Sequence, residues 1–303
     1  MSRELVWGLP VALYLFVGGM AAAAFYVGVF ADLFSRGKLR DIARLSSYVV
    51  LIPTVIGLLM LVIDLGQPLR FWHLMFQFNP TTRIVFEPGS VMSWGVWILV
   101  VFSCLCGVAY PLFWLAEEKF ARNLPVLPAL AGKEKVRKTL GVLGLPFAMG
   151  VAAYTGVLLS ATSVPVWATT PILPVLFIIS ATSTGLAAIL VMMVLTKHDD
   201  HEAMEKVEKG DNALILIEIA VVIVLVIALF LAAPWTDALQ NLLVGKYAVF
   251  FWIGFIFTGL ILPLFIQRYN LKKQHAGTGL VLAGSLLVLF GGFFLRYIML
   301  LAV

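Results

Sequence analysis

The stretch DLGQPLRFWHLMFQFNPTT, residues 64–82, follows a long apolar run and brings an acid, a guanidinium and an imidazole close together in sequence. These groups are Asp64, Arg70 and His73, and side chains of these types can bind polar ligands or relay protons. The many aromatic residues argue against a disordered linker, and a loop of about 25 residues in a compact protein is usually functional. The alternative is a rigid loop without a chemical role.

Other polar groups lie inside apolar runs, where ionisable residues are functional candidates. At 1.5 Å per helical residue, Tyr14, Arg296 and Tyr154 lie about 6, 10 and 12 Å from the same membrane face that Asp64 borders. We predict that these four side chains surround one pocket. Each has an alternative role: the tyrosines in an interfacial belt, Asp64 capping its helix and pairing with Arg70, and Arg296 extending outward along its stem.

Glu218 is the other ionisable residue inside a predicted span. It lies about 8 Å inside the opposite face, with no basic residue within one helical turn. A buried unpaired carboxylate is costly. Glu218 is therefore either protonated and inert or part of a proton path.

Several kinds of cofactor site are not supported by the sequence. All four histidines lie in predicted loops, so no span offers an axial ligand for a transmembrane haem. Cys104 and Cys106 are too few for an iron–sulfur cluster and are interpreted as packing residues. The run HDDHE, residues 198–202, is interpreted as a solvated loop, and no phosphate-binding motif or metal-ligand cluster is present. We therefore expect no metal, haem or iron–sulfur cluster in this chain.

The elements that position these residues are predicted to be membrane-spanning helices. Of the 303 residues, 62% are hydrophobic and 12% are charged, and the polar residues separate long apolar runs. The pattern predicts an all-α integral membrane protein with eight transmembrane helices. The predicted bounds are 11–34, 46–65, 91–116, 140–162, 172–196, 213–233, 247–266 and 278–302.

The orientation follows from the basic residues. Sixteen of them lie in or beside the loops after the first, third, fifth and seventh helices, and four lie on the opposite side. The positive-inside rule then places both termini outside. In a bacterium this indicates a multi-pass protein of the cytoplasmic (inner) membrane. The rule also accounts for the net charge of +5 without a nucleic-acid partner.

The chain is predicted to form a single membrane domain, with residues 1–138 and 139–303 as two four-helix bundles. A weak internal sequence similarity supports this division, because GGMAAAAF at 18–25 resembles STGLAAIL at 183–190. Small-residue runs also arise because they let helices pack closely, so duplication and packing both stay open.

Several stretches together resemble the NrfD, or polysulfide reductase membrane-subunit, family. They are LYLFVGGMAAAAF, DLGQPLRFWHLMFQFNPTT with SVMSWGVW, YTGVLLSATSVPVW and LPVLFIISATSTGLAA. The resemblance implies a quinone-binding membrane anchor of a respiratory oxidoreductase, which exchanges electrons between menaquinol or ubiquinol and a partner. The implied partners are an iron–sulfur subunit with four clusters on the outer face and a molybdopterin catalytic subunit.

The resemblance also implies roles for individual residues. Tyr154 matches a tyrosine on the family's fourth helix that lines the quinone pocket. Tyr14 is what this sequence offers on the first helix, where the family also uses amide and histidine groups. Arg70 and His73 would face the quinone or the iron–sulfur partner, so the 64–82 loop would act as a lid and docking surface.

The chemistry implied is a two-electron, two-proton exchange with a quinone. Tyr154 and Asp64 are the candidate catalytic residues, because a phenol can donate a hydrogen bond to a quinone carbonyl and a carboxylate can relay protons. Tyr14, Arg70, His73 and Arg296 are the other candidate quinone-binding residues. The rival class is a secondary transporter with Glu218 and Arg296 on an ion pathway, although broken helix pairs typical of that class are lacking.

Overall fold

A computed structural model describes residues 8–35, 37–64, 67, 70, 73, 75–77, 83–84, 86–118, 127–161, 171–197, 200–232, 237–273 and 277–301. Within these ranges, eight helices are long and apolar enough to cross a membrane. They are α1 (Leu9–Phe34), α2 (Arg40–Asp64), α3 (Val91–Leu115), α4 (Glu134–Ser160), α5 (Ile172–Leu195), α6 (His201–Ala232), α7 (Phe250–Lys272) and α8 (Thr278–Leu301). The prediction of a helical membrane protein with eight spans is confirmed.

Short elements connect the helices. Two-residue strands, β1 (Phe76–Gln77) and β2 (Arg83–Ile84), pair antiparallel between α2 and α3. A 3-10 turn (Leu127–Ala129) precedes α4, and a short helix (Asp237–Leu243) follows α6. We call the end of the bundle that carries β1 and β2 the outer end and the opposite end the inner end, after the predicted orientation.

Three helices begin earlier at the inner end than their apolar runs indicate. The predicted starts are 46, 140 and 213, whereas α2, α4 and α6 begin at Arg40, Glu134 and His201. Ion pairs four residues apart stabilise the added turns of α4 and α6: Glu134–Lys138, Glu202–Lys206 and Glu205–Lys209, each 2.6 Å long. In α6 the Asp200 carboxylate also caps the first turn by accepting the Ala203 N–H at 3.0 Å. Charged turns of this kind continue a helix beyond its apolar part.

The helices pack in the same order in each half of the chain. In the first half α1 contacts α2 and α4, and α3 contacts α4; in the second half α5 contacts α6 and α8, and α7 contacts α8. The central contact between the halves is α1 against α5, the two most buried spans. The division into two bundles and the outward position of both termini stay predictions.

Small residues make the central contact possible. A side chain at Gly185 of α5 would overlap Ala23 and the backbone of Ala24 in α1. Residues Ala21 to Ala24 are fully buried. The two small-residue runs noted in the sequence therefore pack against each other, as expected for a close helix crossing.

Two spans contain π-helical segments, Ser103–Ala109 in α3 and Phe250–Ile261 in α7. Glycines bring neighbouring helices close beside them: a Cβ at Gly107 would overlap Thr54 of α2, and Gly259 touches Gly291 of α8. Such widened turns shift the side chains that follow them around the helix, and they often occur near functional sites.

Ion pairs of the buried Arg137 join the inner ends of α1, α3 and α4. Arg137 of α4 donates to both oxygens of Asp32 in α1, at 2.9 and 3.1 Å, and to Glu117 after α3, at 3.1 Å. The guanidinium also lies 3.7 Å from the centre of the Trp114 ring. Because its partners come from three parts of the chain, Arg137 fixes the relative positions of these helix ends.

Candidate functional site

A cavity of about 190 Å³ lies at the outer end between α1, α2, α3 and α4. Most of its wall is apolar, with a few polar groups, as is usual for small-molecule sites. The lining residues are Val11, Tyr14, Leu61, Asp64, Met92, Gly95, Val96, Leu99, Tyr154 and Leu158. Three of the predicted site residues, Tyr14, Asp64 and Tyr154, thus border the same space.

Gly95 determines where the Tyr154 ring lies. A Cβ at Gly95 would overlap both the ring and the hydroxyl group of Tyr154. The phenol of α4 therefore lies directly over the glycine of α3, and α3 packs closely against α4 there. Only a residue without a side chain leaves room for this arrangement.

The Tyr14 ring is buried on the α1 side of the cavity, close enough to Tyr154 for the two phenols to interact electrostatically. Among the described residues, neither hydroxyl group has a hydrogen-bond partner. A buried phenol normally has one. Both hydroxyl groups are therefore available to a ligand in the cavity.

Asp64 is the last residue of α2 and lies exposed at the rim. The alternative role in which it pairs with Arg70 is not seen, since both residues are described and no ion pair joins them. Arg70 and His73 lie exposed in the loop between α2 and α3. Neither belongs to the lining of the cavity among the described residues.

Arg296 lies away from the outer cavity, which corrects its predicted place in that pocket. Its side chain is 0% exposed, so it does not extend outward to the membrane face either. The guanidinium donates to the Ser180 hydroxyl at 2.9 Å and to the Gly292 carbonyl at 2.7 Å. It also lies beside the rings of Phe16 and Phe177. These inward partners hold the side chain between α1, α5 and α8.

Glu218 is near Arg296, although the sequence shows no basic residue close to it. Ser180 accepts a hydrogen bond from Arg296, and both residues interact electrostatically with the Glu218 carboxylate, so the serine lies beside the two charged groups. Because α6 begins at His201, Glu218 lies near the middle of that helix rather than 8 Å inside its start. The residue is buried and has a charged neighbour.

Two more buried acids lie on α6 before Glu218, towards the inner end. Asp211 accepts from the Ser183 hydroxyl and from the Gln267 amide, both at 2.6 Å. Glu208 accepts from the Asn270 amide at 2.9 Å. Successive spacings of three and seven residues place all three acids on one face of the helix, towards α5 and α7.

A small cavity of about 60 Å³ borders this row of acids at the inner end. It is lined by His201, Met204, Glu205, Glu208, Asn270, Leu271 and Val281. His201 and Glu205 are exposed, whereas Glu208 is buried, so the cavity leads from the surface to the first acid of the row.

The sequence interpretation missed Gly95, Glu208 and Asp211. Gly95 had a signal, because a glycine inside a helix costs about 1 kcal/mol and suggests close packing. The predicted sixth helix begins at residue 213, which leaves the two acids in a loop.

In HDDHE, His198 and Asp199 lie outside the described residues. Within the described ranges, no three His, Cys, Asp or Glu side chains group as metal ligands.

Comparison with known proteins agrees with this architecture. The model of the family "Polysulphide reductase, NrfD" matches residues 1–303. The sequence is 30% identical to "Protein NrfD" of Escherichia coli and 29% identical to "Protein NrfD homolog" of Haemophilus influenzae. It is 28% identical to the C chain of polysulfide reductase from Wolinella succinogenes. Each alignment covers 99% of this protein and 95% of the relative.

The fold and the site define a class of protein: a helical membrane bundle with a small, mostly apolar cavity at one end. Within that class, the chain belongs to the NrfD family of membrane subunits of respiratory reductase complexes.

Proposed function

We propose that this protein binds a quinone in the outer cavity and passes electrons between it and an iron–sulfur partner. The observation that carries the proposal is the pair of phenols, Tyr14 and Tyr154, in a mostly apolar cavity of about 190 Å³; neither has a hydrogen-bond partner among the described residues. A benzene ring fits in a dry cavity of about 150 Å³, so this one has room for an aromatic ring. The relatives named as reductase subunits support the same interpretation.

The residues present suit a quinone head group. A quinol oxidised there would pass two electrons to the partner and release two protons to water, and reduction of a quinone would take up both in reverse. Tyr154 and Tyr14 can each donate a hydrogen bond to a carbonyl oxygen, and the apolar wall excludes water from the ring. Asp64 at the rim can exchange protons with water. Menaquinone and ubiquinone both have the ring and the carbonyl groups that this arrangement requires.

The test is Tyr154→Phe in the assembled complex. The change removes one hydroxyl group and no carbon, so the fold should persist. We expect quinone turnover to fall about threefold to tenfold for a lost hydrogen bond of about 0.5–1.5 kcal/mol. The loss would reach about 10²–10⁴-fold if the phenol also passes a proton.

Two controls separate a damaged pocket from failed assembly. Tyr110→Phe removes a buried hydroxyl group near the inner end of α3 and should leave quinone turnover unchanged. Turnover of the catalytic subunit with a soluble electron donor should be normal in both variants. Wild-type quinone turnover in Tyr154→Phe, or an equal loss with quinone and soluble donor, would contradict the assignment.

The outer face is proposed to bind an iron–sulfur subunit with four clusters, beyond which a molybdopterin subunit would act. Arg70 and His73 are exposed there, and Phe86 and Trp94 form an exposed edge-to-face pair with ring centres 4.8 Å apart. Exposed aromatic and arginine side chains are enriched at protein interfaces. A photoreactive residue at position 70 should cross-link to the iron–sulfur subunit. Cross-links from an inner-end position such as 138, with none from 70, would refute this placement.

The orientation in a bacterial cytoplasmic membrane is part of the proposal. Both termini are expected on the outer face, so alkaline phosphatase fused after residue 303 should be active in intact cells. The same enzyme fused after Lys138 should be inactive, and the reverse pattern would overturn the orientation.

We also propose that the row of acids on α6 is a proton path from the inner end. The inner cavity leads to Glu208, one turn separates Glu208 from Asp211, and two turns separate Asp211 from Glu218. Ser183 of α5 donates to Asp211, and Ser180, one turn away on the same helix, lies beside Glu218. Hydroxyl and carboxyl groups can both donate and accept protons along such a row.

A secondary transporter that uses Glu218 and Arg296 is the second candidate, because both groups are buried beside Ser180 within the bundle. The two functions differ in what drives proton movement along α6. Proton movement through α6 should depend on quinone turnover in the first case and on a gradient of a transported solute in the second.

A further inference from the structure

An apolar groove of about 390 Å³ runs along the inner half of the bundle between α1 and α6. Its walls include Val27, Phe30 and Phe34 of α1 and Val207 of α6, with Ile42 and Leu186 contributed by α2 and α5. We call it the inner groove. It lies at the boundary between the two halves of the protein, which are otherwise joined mainly by α1 and α5.

Gly210 leaves part of the α6 side of the inner groove open. Among the described residues, the Leu186 side chain, at 3.5 Å, is the only group within 4 Å of a Cβ placed at Gly210. On the α1 side, Phe30 and Phe34 are 46% and 75% exposed. Phe30 and Phe34 are four residues apart with ring centres 6.0 Å apart, which makes an aromatic wall about 6 Å long.

The inner groove opens into a polar recess at the inner end. The recess is about 270 Å³ and shares Leu39 and Lys206 with the groove. Its other described charged groups are Lys38, Asp200 and Glu202. Two lysines and two carboxylates therefore surround the mouth, and one pair, Lys206 with Glu202, is 2.6 Å apart.

The apolar wall alone would suit any hydrocarbon chain. The recess is more selective, because its two lysines and two carboxylates complement a head group that carries one negative and one positive charge. A phosphate diester can lie beside the lysines, and a primary ammonium can donate hydrogen bonds to the carboxylates. A purely anionic head group would meet two carboxylates, and a quaternary ammonium has no N–H to donate.

We propose that the inner groove and its recess bind one phosphatidylethanolamine molecule. One acyl chain would lie along the aromatic wall of α1 and across Gly210, with the head group in the recess. Such a lipid would contact α1 and α2 from the first half and α6 from the second. This site is separate from the outer cavity and does not depend on the function proposed for that cavity.

The test is the lipid retained by the assembled complex, measured by native mass spectrometry after extraction. Delipidated complex is given phosphatidylethanolamine, phosphatidylglycerol or phosphatidylcholine with identical acyl chains. We expect retention of phosphatidylethanolamine with about tenfold preference, which corresponds to about 1.4 kcal/mol. Equal retention of the three lipids by the wild type would overturn the proposal.

Two variants locate the site. Lys38→Ala with Lys206→Ala removes both cations of the mouth, and Gly210→Trp places a ring in the groove. Both should lose the bound lipid. Lys209→Ala is the matched control, because Lys209 is exposed on the same helix, pairs with Glu205 and lies outside both cavities. Undiminished retention in the double lysine variant would contradict the proposal, even if Gly210→Trp fails to assemble.

Discussion

The outer half of the protein contains two cavities of very different character. The one between the first four helices holds two phenols and borders a carboxylate. The one between α6 and α7 is larger, about 300 Å³, and its described lining consists of aliphatic and aromatic side chains such as Val222, Ile256 and Trp252. The first cavity is bordered by four helices and the second by two. The polar groups of the first cavity are what suit it to the proposed ligand with carbonyl groups.

At the inner end the contrast is reversed, because the buried carboxylate suited to proton transfer lies in the second half of the chain. In the first half, the buried Asp32 carboxylate pairs with the charged Arg137 guanidinium at 2.9 Å. In the second half, Asp211 is bonded to neutral groups, the Ser183 hydroxyl and the Gln267 amide. A carboxylate with neutral partners can gain or lose a proton without leaving a buried cation unpaired. This difference supports the proposed proton transfer through Asp211 in the second half.

The largest expected effect is on stability, from Arg296→Met. Removal of the guanidinium leaves Glu218 buried without its charged neighbour, which typically costs about 3–5 kcal/mol. We expect a large loss of assembled complex in size-exclusion profiles and a lower thermal midpoint. Addition of Glu218→Gln should recover part of the loss.

A matched change at the surface should have little effect. Arg40→Met removes a half-exposed partner of Glu117, and an exposed ion pair contributes about 0–1 kcal/mol. Equal stability of the Arg296→Met and Arg40→Met complexes would contradict the account of the buried pair.

The next effect concerns the outer cavity, through Gly95→Ala. The added methyl group would overlap Tyr154 and displace the phenol. Overpacking of about 1–3 kcal/mol corresponds to a loss of quinone turnover of about fivefold to a hundredfold. Gly284→Ala is the control, since a Cβ there meets neighbours at ordinary distances of 3.5 and 3.6 Å. Normal quinone turnover in assembled Gly95→Ala would show that the position of the phenol is unimportant.

The smallest expected effect concerns proton uptake through α6, tested with Asp211→Asn. An amide accepts through one atom only, so one of the two hydrogen bonds to Asp211 is lost or reversed, and no ionisable proton remains. A lost bond of about 0.5–1.5 kcal/mol corresponds to a fall in proton uptake from the inner side of about threefold to tenfold. Proteoliposomes with a pH-sensitive dye would measure this uptake during quinone turnover. Glu134→Gln, at an exposed position of α4, should behave like the wild type. Proton uptake at the wild-type rate in Asp211→Asn would show that the proton path does not run through the second half.

Much of the fold could be predicted from the sequence, because eight long apolar runs have few alternatives in a membrane. The helix starts at the inner end could not, since their charged turns extend beyond the apolar part that the hydropathy pattern detects. Asp211 and Glu208 were missed for that reason. The depths of Tyr14, Asp64 and Tyr154 along their helices predict that they lie together. Arg296 has a similar depth but faces Ser180, and depth along a helix does not determine the direction of a side chain.

The central claim is that the quinone head group binds between α1 and α4 rather than in the apolar cavity between α6 and α7. Photolabelling of the assembled complex with an azidoquinone, followed by peptide mass spectrometry, tests it most directly. The account predicts labels on peptides that contain Tyr14 and Tyr154, and competition by unlabelled quinone should abolish them. Specific labels confined to residues 219–261, with none on α1 or α4, would contradict it.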